Sequence, residues 1–441
     1  MPIVMKFGGT SVADAAAFEN VARIVAAARD ASPVVVVSAM SGVTDGLLSA
    51  TAESVGPIFS RHTETAAQLL QPPELERFAD LVKRAEDQVR ELLHGQTSSS
   101  RKSVQDAVVS FGEILSSALT AAVLNQRGVA ARQVDARRCI ITDEEHTGAA
   151  PLLKETFART ASEVGPLLET GVVPVLGGFI GATRRGATTT LGRGGSDYTA
   201  ALIGAALHVD EIQIWTDVTG VLTADPRVVP YAETIDRLSY SEAAELAYFG
   251  AKVLHPKTIQ PAIENSIPVR ICNSRLPDER GTLVGPQSET SPRAIKAIAH
   301  KTGVTIVQIN SARMLGAYGF LRALFEVFER HRTVVDVVTT SEVSVSLSLD
   351  EATALPAIVE DLERLGTVGI ERGRAIICVV GEGLRGTPGI AGRVFSTIKD
   401  INVSLISQGA SSVNFTFVIE EERVNEAVTR LHEEFFSHDK R

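Results

Sequence analysis

Hydrophobic residues follow two alternating patterns along the first two thirds of the chain. Short runs rich in valine and isoleucine, such as IVMKF, VVVVSAM, VVPVLGGFI and EIQIWTD, have the continuous apolar character of strands buried on both faces. Longer alanine- and leucine-rich segments lie between them, and Ala15 to Ala28 and Val104 to Leu124 are the clearest predicted helices. This alternation predicts an α/β sandwich in which helices cover a mostly parallel sheet.

A different pattern begins after Gly285, where the polar, proline-flanked stretch GPQSETSPRA indicates a linker. Beyond it, a helix, a strand, a turn and a second strand are predicted twice. The first copy is GFLRALFEVFERHRTVVDVVTTSEVSVSLSLD, and GIAGRVFSTIKDINVSLISQGASSVNFTFVIEEE follows about 70 residues later. Apolar and polar residues alternate in the second strand of each copy, which predicts antiparallel sheet. We therefore expect two small α+β modules after the larger domain.

Length, charge and cysteine content narrow the class of protein. A chain of 441 residues is long enough for two or three domains. A net charge of −10 argues against a nucleic-acid partner, and no apolar run looks long enough to span a bilayer. The start MPIVMKFGG resembles a strand rather than a signal peptide. Cys139, Cys272 and Cys378 are far apart, which argues against a zinc site or disulfides and leads us to expect a cytoplasmic protein.

Two glycine-rich turns follow predicted strands and suit the binding of anions. In KFGGTSV, the glycines would let backbone N–H groups approach an anion, and Lys6 would add a positive charge. An ordinary turn with a surface lysine is the alternative. In LGRGGSDYTAAL, Arg193 lies between two glycines and could bind a carboxylate or phosphate through both arms of its guanidinium. Ser196 or Asp197 could instead simply cap the next helix, although a cap would explain neither the glycines nor the arginine.

Three further candidates come from strand ends and from an apolar helix. IWTDVTGVLTADPR places Thr216 and Asp217 at a strand end, although its Asp and Pro residues also suit a plain loop. FGAKVLHP contributes Lys252, which on its own would be read as a surface charge. Glu113 lies inside an apolar helix, where an unpaired carboxylate is costly, so a buried cation from protein or ligand is expected beside it.

Taken together in this order and spacing, the motifs resemble those of the aspartate kinase family. The resemblance rests on KFGGTSV, GFIG, TTTLGRGGSDYTA, WTDV with DPR, FGAKVLHP and TTSEVSVSLSLD, and covers essentially the whole chain. It implies a monofunctional enzyme with a three-layer amino acid kinase domain and two ferredoxin-like ACT modules. The implied boundaries are a catalytic domain at 1–285, a linker with the first strand of the second module at 286–301, an effector-binding module at 302–376 and a second module at 377–441.

The resemblance also implies an activity and a set of site residues. The family transfers the γ-phosphoryl group of ATP to the β-carboxylate of L-aspartate, the first step toward lysine, threonine and methionine. Positioning and charge stabilisation are the main needs of such a transfer. The expected catalytic residues are Lys6 and Asp197. The expected substrate-binding residues are Thr44, Glu113, Phe179, Arg193 and Ser196. The expected ATP-binding residues are Lys6, Gly8, Gly9, Ser11, Thr216, Asp217, Leu222, Arg227, Lys252 and Val253. Mg²⁺ would bridge the phosphates without direct protein ligands.

One position departs from the family pattern. Leu222 stands where related enzymes carry tyrosine in the adenine pocket, so an aromatic contact with the base is replaced by an aliphatic one. This predicts a change in ATP affinity and no change in the reaction.

The family resemblance further implies feedback control through the first ACT module. The expected effector-binding residues are Met314, Ala317, Gly319, Phe320, Leu321, Val335, Asp336, Thr340, Ser341 and Glu342. The acids Asp336 and Glu342 favour lysine over threonine as effector, unless both acids simply face solvent at a strand end. Gly316 and Ala317, which replace polar residues of lysine-sensitive relatives, argue the other way. A homodimer joined through the ACT modules is expected, with a tetramer as the alternative.

Two other functions remain compatible with the residues. A kinase of another acidic metabolite, such as glutamate, N-acetylglutamate or a nucleotide, would share the fold. However, N-acetylglutamate lacks the free ammonium group that Glu113 would bind. A catalytically silent amino-acid sensor would need only the ACT modules, and the presence of Lys6, Arg193 and Asp217 argues against it.

Overall fold

The structure is a computed structural model that describes residues 2–97, 100–250, 254, 256–286, 294–316, 318–350 and 353–437. The chain divides into two compact units. The first contains residues 1–221, 236–240 and 253–287, and the second contains 222–235, 241–252 and 288–441. The division shows that two short segments, which precede the linker in the sequence, belong to the second unit.

The first unit is built on a sheet of eight strands among its described residues, in the order β3-β5-β2-β1-β8-β10-β11-β9. A smaller sheet has the order β4-β6-β7. The strands are β1 Ile3–Phe7, β2 Pro33–Val37, β3 Ala131–Val134, β4 Ile141–Thr142, β5 Val173–Gly177, β6 Ile180–Thr183, β7 Thr188–Thr190, β8 Glu211–Thr216, β9 Arg237–Ser239, β10 Val269–Asn273 and β11 Thr282–Gly285. All pairings in the large sheet are parallel except β10 with β11, which confirms the mostly parallel sheet expected.

The helices of the first unit are α1 Ala15–Ala27, α2 Val43–Ser49, α3 Gly56–Leu69, α4 Glu74–His94, α5 Arg101–Gln126, α6 Leu153–Glu169, α7 Gly195–Leu207 and α9 Gln260–Glu264. Helices α5, α6 and α7 contact strands of the large sheet. Helix α8 Tyr240–Tyr248 belongs to the second unit from residue 241 onward. Helix α1 begins where the Asp14 side chain accepts a hydrogen bond from the Ala17 backbone N–H, as a capping residue should. Strands β1 and β2 are buried along their whole length, which explains their unbroken apolar sequences.

Helix α5 is longer than the predicted segment and corrects one expectation. Its 26 residues are long and apolar enough to meet the criterion for a membrane span, which the sequence had not suggested. However, 72% of its most apolar window is buried inside the protein. A helix that is apolar on most of its surface and buried by its own domain is a core helix.

The second unit contains a six-stranded antiparallel sheet in its described part, in the order β13-β14-β12-β15-β17-β16. Its strands are β12 Ala297–Asn310, β13 Val335–Thr340, β14 Ser344–Leu349, β15 Thr367–Val380, β16 Leu405–Gln408 and β17 Asn414–Glu420. Its helices are α10 Phe320–Arg330, α11 Leu355–Glu363, α12 Ile390–Thr397 and α13 Val424–Phe436. The order helix, strand, strand occurs twice, as the sequence repeat predicted, and each copy is followed by a further helix, α11 or α13.

Two long strands serve both halves of this unit. Residues 297–301 of β12 pair with 376–380 of β15, and residues 304–310 pair with 367–374. The expected module boundaries at 301/302 and 376/377 therefore fall within continuous strands. Each half has its own apolar core, one around Phe328 and Leu347 and the other around Phe417 and Leu431.

Candidate active site

A cavity of about 700 Å³ lies in the first unit at the carboxyl ends of β1, β2, β5 and β8. Parallel strands bring the residues that follow them to one sheet edge, which is why the glycine-rich turns of distant segments meet there. Eleven residues singled out in the sequence line this cavity: Lys6, Gly8, Gly9, Thr44, Glu113, Phe179, Arg193, Ser196, Asp197, Thr216 and Asp217.

Lys6 and Asp197 form an ion pair in the cavity. The Lys6 ammonium lies 2.6 Å from a carboxylate oxygen of Asp197, and both side chains are largely buried. Lys6 is the fourth residue of β1, whereas Asp197 belongs to the first turn of α7. The helix has no side-chain cap and begins after Gly194, so the interpretation of Ser196 or Asp197 as a simple cap is wrong. The pair instead holds a cation beside a helix N-terminus, where an anion is favoured.

Two glycines at the end of β5 allow unusually close packing beneath the cavity. A Cβ atom on Gly177 would lie 2.9 Å from Cβ of Glu113, and one on Gly178 would lie 2.7 Å from Cβ of Ser196. Phe179 follows with a φ of +67°, a conformation that is costly for a bulky residue. These two glycines had no predicted role, although a Gly-Gly pair at the end of a buried strand is a signal of close packing.

Glu113 carries the clearest electrostatic signature of the site. Its side chain is 3% exposed, and Oε1 accepts a hydrogen bond of 3.2 Å from the Ala39 backbone N–H. The other oxygen, Oε2, is buried and has no hydrogen-bond partner among the described residues. Burial raises the pKa of Glu113 to about 8, although the Ala39 hydrogen bond opposes the shift. A bound cation would satisfy this oxygen and favour the ionised form.

Arg193 lies in a turn whose two flanking residues have backbone conformations that favour glycine. The flanking residues Gly192 and Gly194 have φ values of +74° and +73°, which residues with a side chain rarely adopt. The Arg193 side chain is exposed at the cavity, and no carboxylate of the described residues forms an ion pair with it. Its guanidinium is therefore available for an anionic ligand.

Other predicted ATP-site residues lie elsewhere or are not described. Ser11 is buried, and its hydroxyl donates to the Ser274 hydroxyl at 2.8 Å instead of facing the cavity. Leu222 and Arg227 belong to the second unit, where Arg227 pairs with Asp225 at 2.6 Å. Lys252 and Val253 lie outside the described residues.

Among the predicted effector residues, Asp336 has a buried side chain. Its side chain is 2% exposed, so the alternative of a solvent-facing acid is wrong for this residue. The carboxylate accepts hydrogen bonds from the Tyr248 hydroxyl and from the Lys301 ammonium, the latter at 2.8 Å. Glu342, by contrast, is exposed. Ala317 lies outside the described residues.

The remaining predicted effector residues lie in or next to helix α10 and strand β13 of the second unit. Helix α10 begins after Gly319, whose φ is +83°, and strand β13 supplies the residues from Val335 to Thr340. The placed members are Met314, Gly319, Phe320, Leu321, Val335, Thr340 and Ser341.

Several polar residues that line the cavity were not among the predicted site residues. Ser38, directly after β2, donates its hydroxyl hydrogen to the Ser196 hydroxyl at 3.0 Å. Asp106 of α5 is 1% exposed, and Thr147 and Thr190 lie beside it. A carboxylate two helical turns before Glu113 in an apolar helix was the available signal for Asp106.

Comparisons with known proteins agree with this geometry. Residues 1–273 match the amino acid kinase family, and residues 377–435 match an ACT domain. The chain is 40% identical over 456 residues to chloroplastic aspartokinase 1 of Arabidopsis thaliana, covering 98% of this chain and 80% of the relative. It is 37% identical over 448 residues to lysine-sensitive aspartokinase 3 of Escherichia coli, covering 98% and 99%. A solved structure of E. coli aspartokinase III with aspartate and ADP superposes with a TM-score of 0.83 at 37% identity, covering 99% of this chain and 100% of that one.

Proposed function

This chain belongs to the aspartokinase family, and from that premise we propose how its own residues carry out the reaction. The enzyme transfers the γ-phosphoryl group of ATP to the β-carboxylate of L-aspartate. The observation that carries the proposal is the buried Glu113 carboxylate, with one unsatisfied oxygen, in the same cavity as the unpaired guanidinium of Arg193.

Glu113 and Arg193 divide the recognition of aspartate between them. The α-ammonium of aspartate supplies the buried cation that Glu113 lacks, and Arg193 pairs with the α-carboxylate through two parallel hydrogen bonds. An ion pair that satisfies a buried group discriminates strongly against a ligand without the partner charge. We therefore expect the free amino group of the substrate to be essential.

Lys6 stabilises the transferred group. Its ammonium lies at the carboxyl end of β1 beside Gly8 and Gly9, whose backbone lets a phosphate approach closely. A Cβ atom on Gly9 would lie 3.1 Å from the Ala39 carbonyl oxygen, so a larger residue would crowd this turn. Asp197 orients Lys6 through the ion pair of 2.6 Å and holds its ammonium group next to the N-terminus of α7. In a phosphoryl transfer, such fixed positive charge is the main contribution of the protein.

ATP and Mg²⁺ complete the reactants. Thr216 and Asp217, at the carboxyl end of β8, line the cavity, and we propose that the nucleotide phosphates bind beside them. The hydroxyl of Thr216 and the carboxylate of Asp217 suit a magnesium nucleotide, because Mg²⁺ prefers oxygen ligands and keeps most of them as water and phosphate oxygens. When bound, the ion neutralises charge on the phosphate oxygens. The roles of Leu222, Arg227, Lys252 and Val253 toward the nucleotide stay predictions from the sequence.

ADP release with L-aspartate, L-glutamate or N-acetyl-L-aspartate as acceptor tests the reaction. We expect release with aspartate only, because N-acetyl-aspartate lacks the ammonium group that Glu113 binds. Glu113→Gln should reduce kcat/KM for aspartate by about 100-fold or more, since a charge-assisted hydrogen bond is lost at a buried site. Release with N-acetyl-aspartate at a comparable rate would overturn the role of Glu113, and release with glutamate alone would reassign the substrate.

We further propose that L-lysine is the feedback effector and binds near Asp336 and α10. Two features support this: the named lysine sensitivity of the E. coli relative and the buried carboxylate of Asp336, which already binds an ammonium group. Suppression of ADP release by lysine, with no effect of threonine, is the expected result. The reverse pattern would assign threonine.

The edge strands of the second unit support a dimer proposal. Strands β13 and β16 end the six-stranded sheet of the second unit, and no further strand of the described residues pairs with either of them. The two strands also approach each other within the chain. A strand edge without a pairing strand favours pairing with another chain. We propose a homodimer through the ACT modules, to be checked by light scattering across protein concentration; a mass of four chains would favour the tetramer.

A further inference from the structure

Asp106 has no part in the chemistry proposed above, yet it is among the most highly connected side chains of the cavity. It lies on α5 seven residues before Glu113, which places both carboxylates on the same face of the helix. Asp106 is 1% exposed and lines the same cavity. A buried carboxylate is costly unless its oxygens have hydrogen-bond partners, and both oxygens of Asp106 have them.

Three groups from two separate segments donate hydrogen bonds to this carboxylate. The Thr190 hydroxyl donates to Oδ1 at 2.6 Å, and the Thr147 backbone N–H donates to Oδ2 at 3.0 Å. The His146 ring nitrogen Nδ1 lies 2.8 Å from Oδ2. Since both oxygens are occupied by protein groups, Asp106 is not placed to bind substrate itself.

The two segments that Asp106 joins lead directly to Arg193. Thr190 ends β7, three residues before Arg193. The loop that contains Thr147 packs on the same turn, because a Cβ atom on Gly192 would lie 3.6 Å from Cα of Gly148 and 3.7 Å from the Thr147 carbonyl oxygen. The Ala149 N–H also donates to the Thr190 carbonyl oxygen at 2.8 Å.

The loop adopts a conformation that needs such support. Thr147 has a φ of +68°, which is strained for a β-branched residue. Strain of this kind persists where neighbouring groups hold it, and it gathers at binding sites. The Asp106 carboxylate, which accepts a hydrogen bond from this residue's own N–H, holds it directly.

From these contacts we propose that Asp106 is a positioning residue for aspartate binding: it ties the His146–Thr147 loop to β7 and thereby fixes the turn that presents Arg193. The inference rests on the proposed function, in which Arg193 binds the substrate α-carboxylate. It assigns Asp106 to the aspartate half of the cavity and gives it no role toward ATP.

The test is the separation of the two Michaelis constants in Asp106→Asn. Asparagine keeps the shape but cannot accept all of these hydrogen bonds, so the Arg193 turn should loosen. We expect KM for aspartate to rise about tenfold or more while KM for ATP changes less than about twofold, because a misplaced clamp weakens only its own ligand. An unchanged KM for aspartate, or an equal rise in both constants, would overturn the proposal.

A second pair of variants decides the question even if Asp106→Asn does not fold. Thr190→Val removes only the hydroxyl that donates to Asp106, whereas Thr190→Ser retains it. KM for aspartate should rise in the valine variant and stay near wild type in the serine variant; equal values would overturn the proposal. Thr120→Val is the matched control. It removes a buried hydroxyl of α5, the helix that carries Asp106, and this hydroxyl donates to the Ser116 carbonyl oxygen at 2.8 Å. Failure of the wild-type enzyme to release ADP with aspartate would instead contradict the proposed function.

Discussion

The ammonium group of Lys301 lies 2.8 Å from the carboxylate of Asp336, so this buried acid already holds a cation of its own chain. Lys301 also pairs with Asp350 at 2.7 Å and lies 5.0 Å from the centre of the Tyr248 ring. Burial alone would lower the pKa of Lys301, but the hydrogen bonds to Asp336 and Asp350 outweigh it and raise the pKa above its ordinary value. Lys301 therefore stays charged and is ion-paired with Asp336, the carboxylate that we propose binds the effector.

Lys301→Met should make the enzyme more sensitive to lysine. The substitution leaves the Asp336 charge with only the Tyr248 hydroxyl, and the ammonium of a bound lysine would then relieve a buried, poorly compensated carboxylate. We expect the half-inhibiting lysine concentration to fall by about tenfold, which corresponds to about 1.4 kcal/mol. Lys399→Met, at an exposed lysine of the other half of the unit, is the control. An unchanged or higher concentration would show that lysine does not bind Asp336.

Lys6 and Asp197 should behave as one catalytic unit. Lys6→Met and Asp197→Asn each remove the fixed charge arrangement at the phosphoryl group, and each should lower kcat by about 100-fold or more. The double variant should lose little beyond the worse single variant, because residues that act together give non-additive losses. Steady-state kinetics of the three variants provides the measurement, and multiplicative losses would mean that the two residues act independently.

The first-unit strands and turns were predictable because a single local signal determined each of them. IVMKF is buried along its whole length, EIQIWTD is buried or half-buried at each strand position, and β1 and β8 cover them almost to the residue. Glycines with positive φ at Gly192 and Gly194 likewise marked the Arg193 turn.

The hydrogen-bond partners of Asp106 and Asp336 could not be predicted from the local sequence. Asp106 depends on a loop that returns 41 residues later in the chain, and Asp336 depends on Tyr248, 88 residues earlier. Nothing in the local pattern shows which distant donor satisfies a buried carboxylate. Continuous strands such as β12 also hide module boundaries, since both halves of the strand have the same apolar character.

The raised pKa of Glu113 predicts that aspartate binding is pH-dependent. The pKa of Glu113 is about 8, so at lower pH its carboxyl group is mostly protonated in the ligand-free enzyme. The group must lose that proton to bind an ammonium group. The logarithm of kcat/KM for aspartate should therefore rise with pH and level off near pH 8. Glu113→Gln should abolish this rise, whatever activity remains. A flat profile in the wild-type enzyme would contradict the ionisation step.

The raised pKa of Glu113 should also lower the free energy of unfolding of the ligand-free enzyme as the pH rises toward 8. Between about 4.5 and 8 the folded ligand-free enzyme binds a proton at Glu113 that the unfolded chain has released, so the free energy of unfolding falls as pH rises through this window. Glu113→Gln removes that loss and should stabilise the ligand-free enzyme at pH 8 by a few kcal/mol. Urea unfolding at pH 5 and pH 8 provides the measurement. Destabilisation of the variant at both pH values would mean that the Ala39 hydrogen bond dominates instead.

His62 should make the first unit sensitive to acid, with the opposite sign of pH dependence. It is 1% exposed in α3, and burial lowers its pKa to about 4, although the hydrogen bond to the Ile58 carbonyl opposes the shift. The unfolded chain binds a proton near pH 6.5 that the folded chain refuses until about pH 4, so stability present above 6.5 is lost progressively between these values. The loss amounts to about 3 kcal/mol for a shift of this size.

His62→Leu should remove that part of the acid dependence, because leucine fills the buried position without a titrating group. The urea midpoint of the variant should therefore change less than that of the wild type between pH 6.5 and 4. His94→Leu, at an exposed histidine that ends α4, should leave the wild-type slope intact. If both variants keep the full slope, carboxylates and not His62 cause the acid sensitivity, and the buried imidazole contributes only packing.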